Sequence, residues 1–206
     1  MDTEIKKLKV TNVLTGILSI FFAAALSYYG HQLGHIVVGD LHCNLDITQE
    51  FRNNTQIHRC AILPNCSLSI VAGPLATITL AILSLWAFVK FPYNHFFGAL
   101  ALINSSARVG YSFILFMQML LMRYHPTVNS DERLIINLIH FPDMASALVL
   151  IFFYVLFNGV LVIIAVRTMA WTGFWKLIFV IVAILSQFPL SIFFAEHLST
   201  IVRLIY

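Results

Sequence analysis

The sequence predicts an all-α polytopic membrane protein with about five transmembrane helices and one short interfacial or re-entrant helix. Three observations carry that expectation. Of 206 residues, 60% are hydrophobic and 10% charged, against roughly 45–50% and about 25% in a soluble domain. A hydrocarbon core about 30 Å thick needs roughly 20 apolar residues per helix, and five runs reach that length, at 10–38, 61–89, 95–122, 144–166 and 174–195. Polar residues are gathered in two connections, 40–60 and 123–133. A soluble globular domain and a disordered chain are thereby excluded. The net charge of +3 is scattered along the chain, which excludes a nucleic-acid surface. With no internal repeat or linker, 1–206 reads as one integral membrane domain, with a core over about 10–140 and additional helices over 144–195.

The first run, 10–38, is longer than one crossing requires, and tilt or emergence into the headgroups absorbs the excess. It is not a removable signal peptide, because its apolar stretch is too long and a histidine pair closes it in place of a cleavage site. Gly39 supplies a stop. In the connection that follows, alternation around Leu45-Asp46-Ile47-Thr48 predicts a short strand. Cys43, Cys60 and Cys66 fall in or beside it, with the sequons Asn53-Asn54-Thr55 and Asn65-Cys66-Ser67. That grouping suits an oxidising compartment and a disulfide, with one cysteine left over.

The second run carries Gly73-Pro74, which is expected to bend it, and Ser67, Ser69 and Thr77 to satisfy freed backbone groups or admit water. The third carries Asn104-Ser105-Ser106-Ala107-Arg108. An ionisable residue inside a membrane is costly enough to mark a functional position, although Arg108 also fits a snorkelling or pocket-capping role. Segment 134–141 is too short to cross and is stopped by Pro142, so it reads as the interfacial helix. The last two runs each fit one crossing. Lys6, Lys7 and Lys9 precede the first span, and with alternating spans Lys90, Arg167 and Lys176 share their side. A cytoplasmic N-terminus is therefore expected.

Candidate chemistry begins at His31-Gln32-Leu33-Gly34-His35. Histidines four apart share one helical face, and neutral imidazoles on adjacent turns reach one tetrahedral Zn²⁺ at about 2.0–2.1 Å. In the zincin motif the second position is Glu, which takes a proton from the zinc-bound water. Here it is Gln32, whose amide matches the carboxylate in shape but accepts no proton near neutral pH. Histidines hydrogen-bonded to a neighbouring helix are the plain alternative. Gly34 between them lets another backbone approach closely.

These residues resemble the first signature of the site-2 protease family of intramembrane zinc metalloproteases, HELGH followed by an apolar turn and Gly. Ala72-Gly73-Pro74-Leu75-Ala76 is similar to that family's AGPLAN segment, with Thr77 in place of the Asn. The order of a zinc helix, a polar connection, a Gly-Pro helix and a third helix is kept over roughly the first 140 residues. The family's NxxPxxxLDG signature, whose Asp completes the zinc site, has no recognisable counterpart. The resemblance requires an acid that returns to the depth of His31 and His35, and Asp131, Glu132, Asp143 and Glu196 are the candidates. Asp131 is preferred, because it opens segment 134–141 on the membrane side where the first span ends. It fits equally well as a helix N-cap. Glu132 and His125 are reserves, and Glu196 with His197 lies outside the resembling region.

The resemblance implies zinc-dependent hydrolysis of a peptide bond in a transmembrane protein or peptide substrate within the lipid bilayer. His31, His35 and Asp131 would hold the metal, with Asn104 and Arg108 positioning substrate and Gln32 at the general-base position. As written the chain would then be a form disabled by Glu→Gln replacement, which its intact surroundings favour, or a natural pseudoprotease that binds without cutting. The alternatives are a polytopic binding or scaffold protein whose histidines only pack, and a di-iron membrane oxygenase. The latter needs about eight histidines in clustered boxes, whereas those at 42, 58, 95, 125, 140 and 197 are isolated.

Overall fold

The computed structural model describes residues 2–43, 67–122, 131, 135–136, 144–171 and 173–205. They form six helices and, among the described residues, no strand: α1 Asp2–Cys43, α2 Ser67–Lys90, α3 His95–Met122, α4 Met144–Thr168, α5 Phe174–Leu185 and α6 Gln187–Ile205. Four stretches, Val13–Val38, Leu68–Lys90, His95–Leu121 and Met144–Thr168, are long and apolar enough to cross a membrane, and α5 with α6 adds a fifth if that bent pair counts as one. The strand expected near residue 45, the sequons, Cys60 and Cys66 lie outside the described residues. Of segment 134–141 only Ile135 and Ile136 are described, and both are helical.

Two boundaries differ from expectation. α1 does not stop at Gly39 but continues to Cys43. A glycine inside a helix costs only about 1 kcal/mol relative to alanine, and Gly173 is the one described glycine with positive φ, so no left-handed turn ends the helix at 39. The last run, in turn, is not one straight helix. α5 and α6 meet at 42° around Ser186. The amides of Ser186 and Leu190 still bond the carbonyls of Val182 and Ser186, at 2.9 and 3.0 Å. Pro189 lies between them with no N–H to give, and its ring crowds the carbonyl four residues back, which bends the chain there. α2, by contrast, continues through Gly73-Pro74 as one helix.

α3 is the central helix, with every residue over 98–105 buried. α1 and α2 pack on it and on each other, and α4 packs mainly along its other side. Alanines 23, 24, 81, 99, 101, 165 and 183 populate this core around Phe88 and Leu102. Small side chains let helices approach closely where lipid removes the hydrophobic drive between them. Large apolar residues such as Leu83, Phe153, Leu156 and Ile163 point outward, as lipid-facing positions do. Asn94 starts α3, its side-chain oxygen accepting the amides of Phe96 and Phe97 at 3.0 and 3.2 Å.

Candidate metal centre

Three helix faces with a four-residue repeat converge at one end of the bundle. α1 presents Ser27, His31 and His35, α2 presents Ser69, Gly73 and Thr77, and α3 presents Asn104, Arg108 and Ser112. Residues four apart stack on one face of a helix. The faces are drawn together by two glycines. A Cβ at Gly34 would stand 2.7 Å from the carbonyl oxygen of Ala72, and one at Gly73 would fall on the His35 ring. The histidine motif and the Ala-Gly-Pro motif therefore touch residue against residue, and glycine is required at each contact.

His35 is buried, and its Nδ1 lies 2.6 Å from the Ser69 carbonyl oxygen. Since a carbonyl only accepts, Nδ1 carries the hydrogen and Nε2 is left with its lone pair facing inward. Ser69 Oγ donates back to the His35 carbonyl at 2.8 Å, so the ring is clamped from both sides. His31 Nε2 lies 3.1 Å from His35 Nε2. Asp131 Oδ2 completes the group, 3.1 Å from His31 Nε2 and 3.7 Å from His35 Nε2. Ligand atoms bound tetrahedrally at 2.0–2.1 Å stand roughly 3.3–3.4 Å apart, which is the spacing these three atoms bracket.

Asp131 is carried by the segment whose Ile136 is buried with Leu115, Met119, Ala147 and Ile151 between α3 and α4. Burial alone raises its carboxyl, but the facing imidazoles of His31 and His35 outweigh burial and hold it well below the usual carboxylate range. Arg108 Nη1 stands 3.7 Å from the same oxygen. A carboxylate ready to ligate without losing a proton is the result.

His31 Nδ1 has two neighbours, Thr77 Oγ1 at 3.0 Å and Arg108 Nη2 at 2.9 Å. Thr77 Oγ1 gives its own hydrogen to the Gly73 carbonyl at 3.1 Å and so accepts from His31. Arg108 only donates. The two neighbours therefore favour different tautomers. With hydrogen on Nδ1, Thr77 is served and Nε2 is free to ligate, whereas with the lone pair on Nδ1, Arg108 is served and Nε2–H points at Asp131.

Gln32 is half-buried between the two histidines along α1. Asn104 is fully buried and committed elsewhere: its Oδ1 accepts from Ser27 at 2.8 Å and its Nδ2 donates to the Leu100 carbonyl at 2.8 Å. It pins α3 to α1 one turn from Arg108. Glu196 and His197 lie on α6, where His197 packs on Phe193, and His125, Glu132 and Asp143 lie outside the described residues. Among the described residues, His31, His35 and Asp131 form the one group with metal-ligating atoms in mutual reach. The contacts of Ser27, Ser69 and Thr77 with the other helices were not anticipated, although their four-residue register with His31, His35 and Gly73 is visible in the sequence. No protein-family model matches the chain, and no curated protein or solved structure matches it either. The likeness to site-2 proteases rests on the motif residues themselves.

Proposed function

We propose that this chain is an intramembrane zinc-binding protein of the metalloprotease type, which receives a transmembrane protein or peptide substrate and in which Gln32 blocks hydrolysis. The convergence of His31 Nε2, His35 Nε2 and Asp131 Oδ2 at the spacing of a tetrahedral site is the observation that supports it. Each histidine also has an outward partner of the kind that orients zinc ligands, the Ser69 carbonyl for His35 and Thr77 for His31. Bound zinc would supply an activated water and a Lewis acid for the substrate carbonyl. Gln32 holds the place where a carboxylate would take the proton, and its amide does not take it. Arg108, buried beside Asp131, would hold a substrate carbonyl oxygen with its guanidinium. The N-terminus is placed on the cytoplasmic side, in keeping with Lys6, Lys7 and Lys9 ahead of the first span.

Metal analysis of the purified protein tests the reading. About one zinc per chain, absent from His31→Ala and His35→Ala, is the expected result. Gln32→Glu is then expected to cleave a membrane substrate in a zinc-dependent manner. A zinc-loaded Gln32→Glu protein inert toward every substrate tried would leave a binding protein that never cut. One observation favours a second reading, a scaffold whose histidines only pack: Arg108 donating to His31 Nδ1 and His31 Nε2–H to Asp131 close a network that needs no ion. A metal-free protein of full stability decides for it, and iron in place of zinc would point to the oxygenase.

A further inference from the structure

A cavity of about 670 Å³ opens between α1 and α5 at the other end of the first span. Gly16 and Ile20 of α1 and Phe179 and Val182 of α5 line it, together with His95 and Trp171. The bend at Ser186 accounts for it. α6 packs on α1 while α5 packs on α3, so α1 and α5 diverge, and side chains such as Phe179, His95 and Trp171 line the gap between them. Trp171 lies against both His95 and Phe179, with ring centroids 4.2 and 4.5 Å away. Ile20 is 11 residues from His31, roughly 16 Å along the helix, so this space is separate from the metal centre.

The lining changes with depth. Tyr93 and Trp171 sit in the connections at the membrane end of the bundle and Trp175 in the first turn of α5, the level at which such rings mark the lipid–water boundary. From Val13 the α1 wall reaches Ile20, seven residues on, or roughly 10 Å deeper, and it is apolar throughout. A polar mouth above an apolar shaft suits an amphiphile, and the volume falls in the range of about 300–1,000 Å³ usual for ligand sites. Charge selects the headgroup. This end of the chain carries Lys6, Lys7, Lys9, Lys90, Arg167 and Lys176 against only Asp2 and Glu4. Lys176 reaches back to the Met169 carbonyl at 3.1 Å, beside Trp171.

We propose that the cavity takes one acyl chain of an anionic glycerophospholipid from the surrounding leaflet, with the phosphate at the lysine- and arginine-rich rim. The chain has three tryptophans, and Trp86→Phe leaves Trp171 and Trp175 as reporters. That variant, reconstituted in phosphatidylcholine vesicles, is titrated with tail-brominated phosphatidylglycerol or with tail-brominated phosphatidylcholine, and tryptophan quenching is read. Each basic side chain near the surface favours an anionic lipid by roughly fivefold, so half-quenching is expected at several-fold lower bromo-phosphatidylglycerol. Gly16→Leu fills the shaft and is expected to erase that preference. Gly16→Ala, whose Cβ would meet Phe179 and His95 only at 3.7–3.8 Å, reduces it while leaving the packing intact. Lys90→Gln with Arg167→Gln lowers the preference and leaves quenching by the neutral lipid unchanged. Equal quenching by the two lipids, or a preference that survives both Gly16 substitutions, overturns the proposal and leaves bulk lipid or a peptide segment as the occupant.

Discussion

The two ends of the first membrane span are built on opposite rules. At the His31–His35 end, helices meet so closely that glycine is required at 34 and 73, and Ser27, His31, His35 and Ser69 each have a hydrogen-bond partner on another helix. At the Val13–Ile20 end, α1 and α5 diverge and leave a cavity lined by Gly16, where an added Cβ would meet only the Phe179 and His95 rings at ordinary contact distance. Close approach fixes side-chain direction, which a metal centre needs. Divergence leaves room for something that is not part of the chain. One helix serves both because α2 and α3 pack closely on α1 while α5 makes little contact with it.

Removing a ligand breaks the tight end most severely. His31→Ala or His35→Ala is expected to abolish metal binding outright, from about one ion per chain to none by elemental analysis. Neither change should alter the cavity end, so lipid quenching of Trp171 and Trp175 serves as the control. Acidification gives the next largest effect. Metal binding requires both imidazoles deprotonated, and Asp131 is already a carboxylate. Affinity therefore falls as acid protonates the imidazoles, by up to about 100-fold per pH unit where two protons compete. Equilibrium dialysis with zinc across pH 5 to 8 measures the slope, and a slope of zero would remove the histidines from the site.

The same substitution at the two ends separates them directly. Gly34→Ala drives a Cβ against the Ala72 backbone, which cannot yield as a side chain does, and is expected to cost about 1–3 kcal/mol of stability along with metal. Gly16→Ala meets only the Phe179 and His95 rings at ordinary contact distance and is expected to be neutral or slightly stabilising, since it improves on glycine in a helix. Denaturation in detergent compares them. Equal losses would mean that the closeness at Gly34 is not what holds the site.

This contrast also marks what the sequence made legible. Run length and hydropathy placed the spans, and α3 begins and ends where its apolar run does, because lipid imposes one simple requirement on each segment. The histidine pair was legible from spacing, and Gly34 from the need for close approach. Pro189 is a single residue in a run long enough to cross as one helix, yet its missing N–H breaks the last span and, through that bend, opens the cavity. The partners of the hydroxyls were harder to read. In a membrane helix a serine bonds its own backbone by default, as Ser84, Ser105 and Ser106 do to the carbonyls of Leu80, Ala101 and Leu102. Ser27 and Ser69 instead bond across to other helices, and only the assembled bundle distinguishes the two habits.

The smallest expected effect tests whether Thr77 belongs to the candidate metal centre or merely to the packing around it. Thr77→Val keeps the shape and removes the oxygen that accepts from His31 Nδ1. Losing an outer partner of a ligating histidine typically weakens metal binding about 10- to 100-fold, and without the Thr77 oxygen the Nδ1–H of a ligating His31 faces only another donor, Arg108 Nη2. Ser27→Ala, one turn along α1 from His31, is the matched control. It removes one interhelical hydrogen bond to Asn104, at about 1 kcal/mol of stability, and touches neither histidine. If Thr77 orients a ligand, zinc affinity falls for Thr77→Val and stays constant for Ser27→Ala while both lose similar stability. If both variants hold zinc equally well, His31 is positioned by the ring packing of the bundle alone, and the tight end of α1 owes its order to its glycines rather than to its hydrogen bonds.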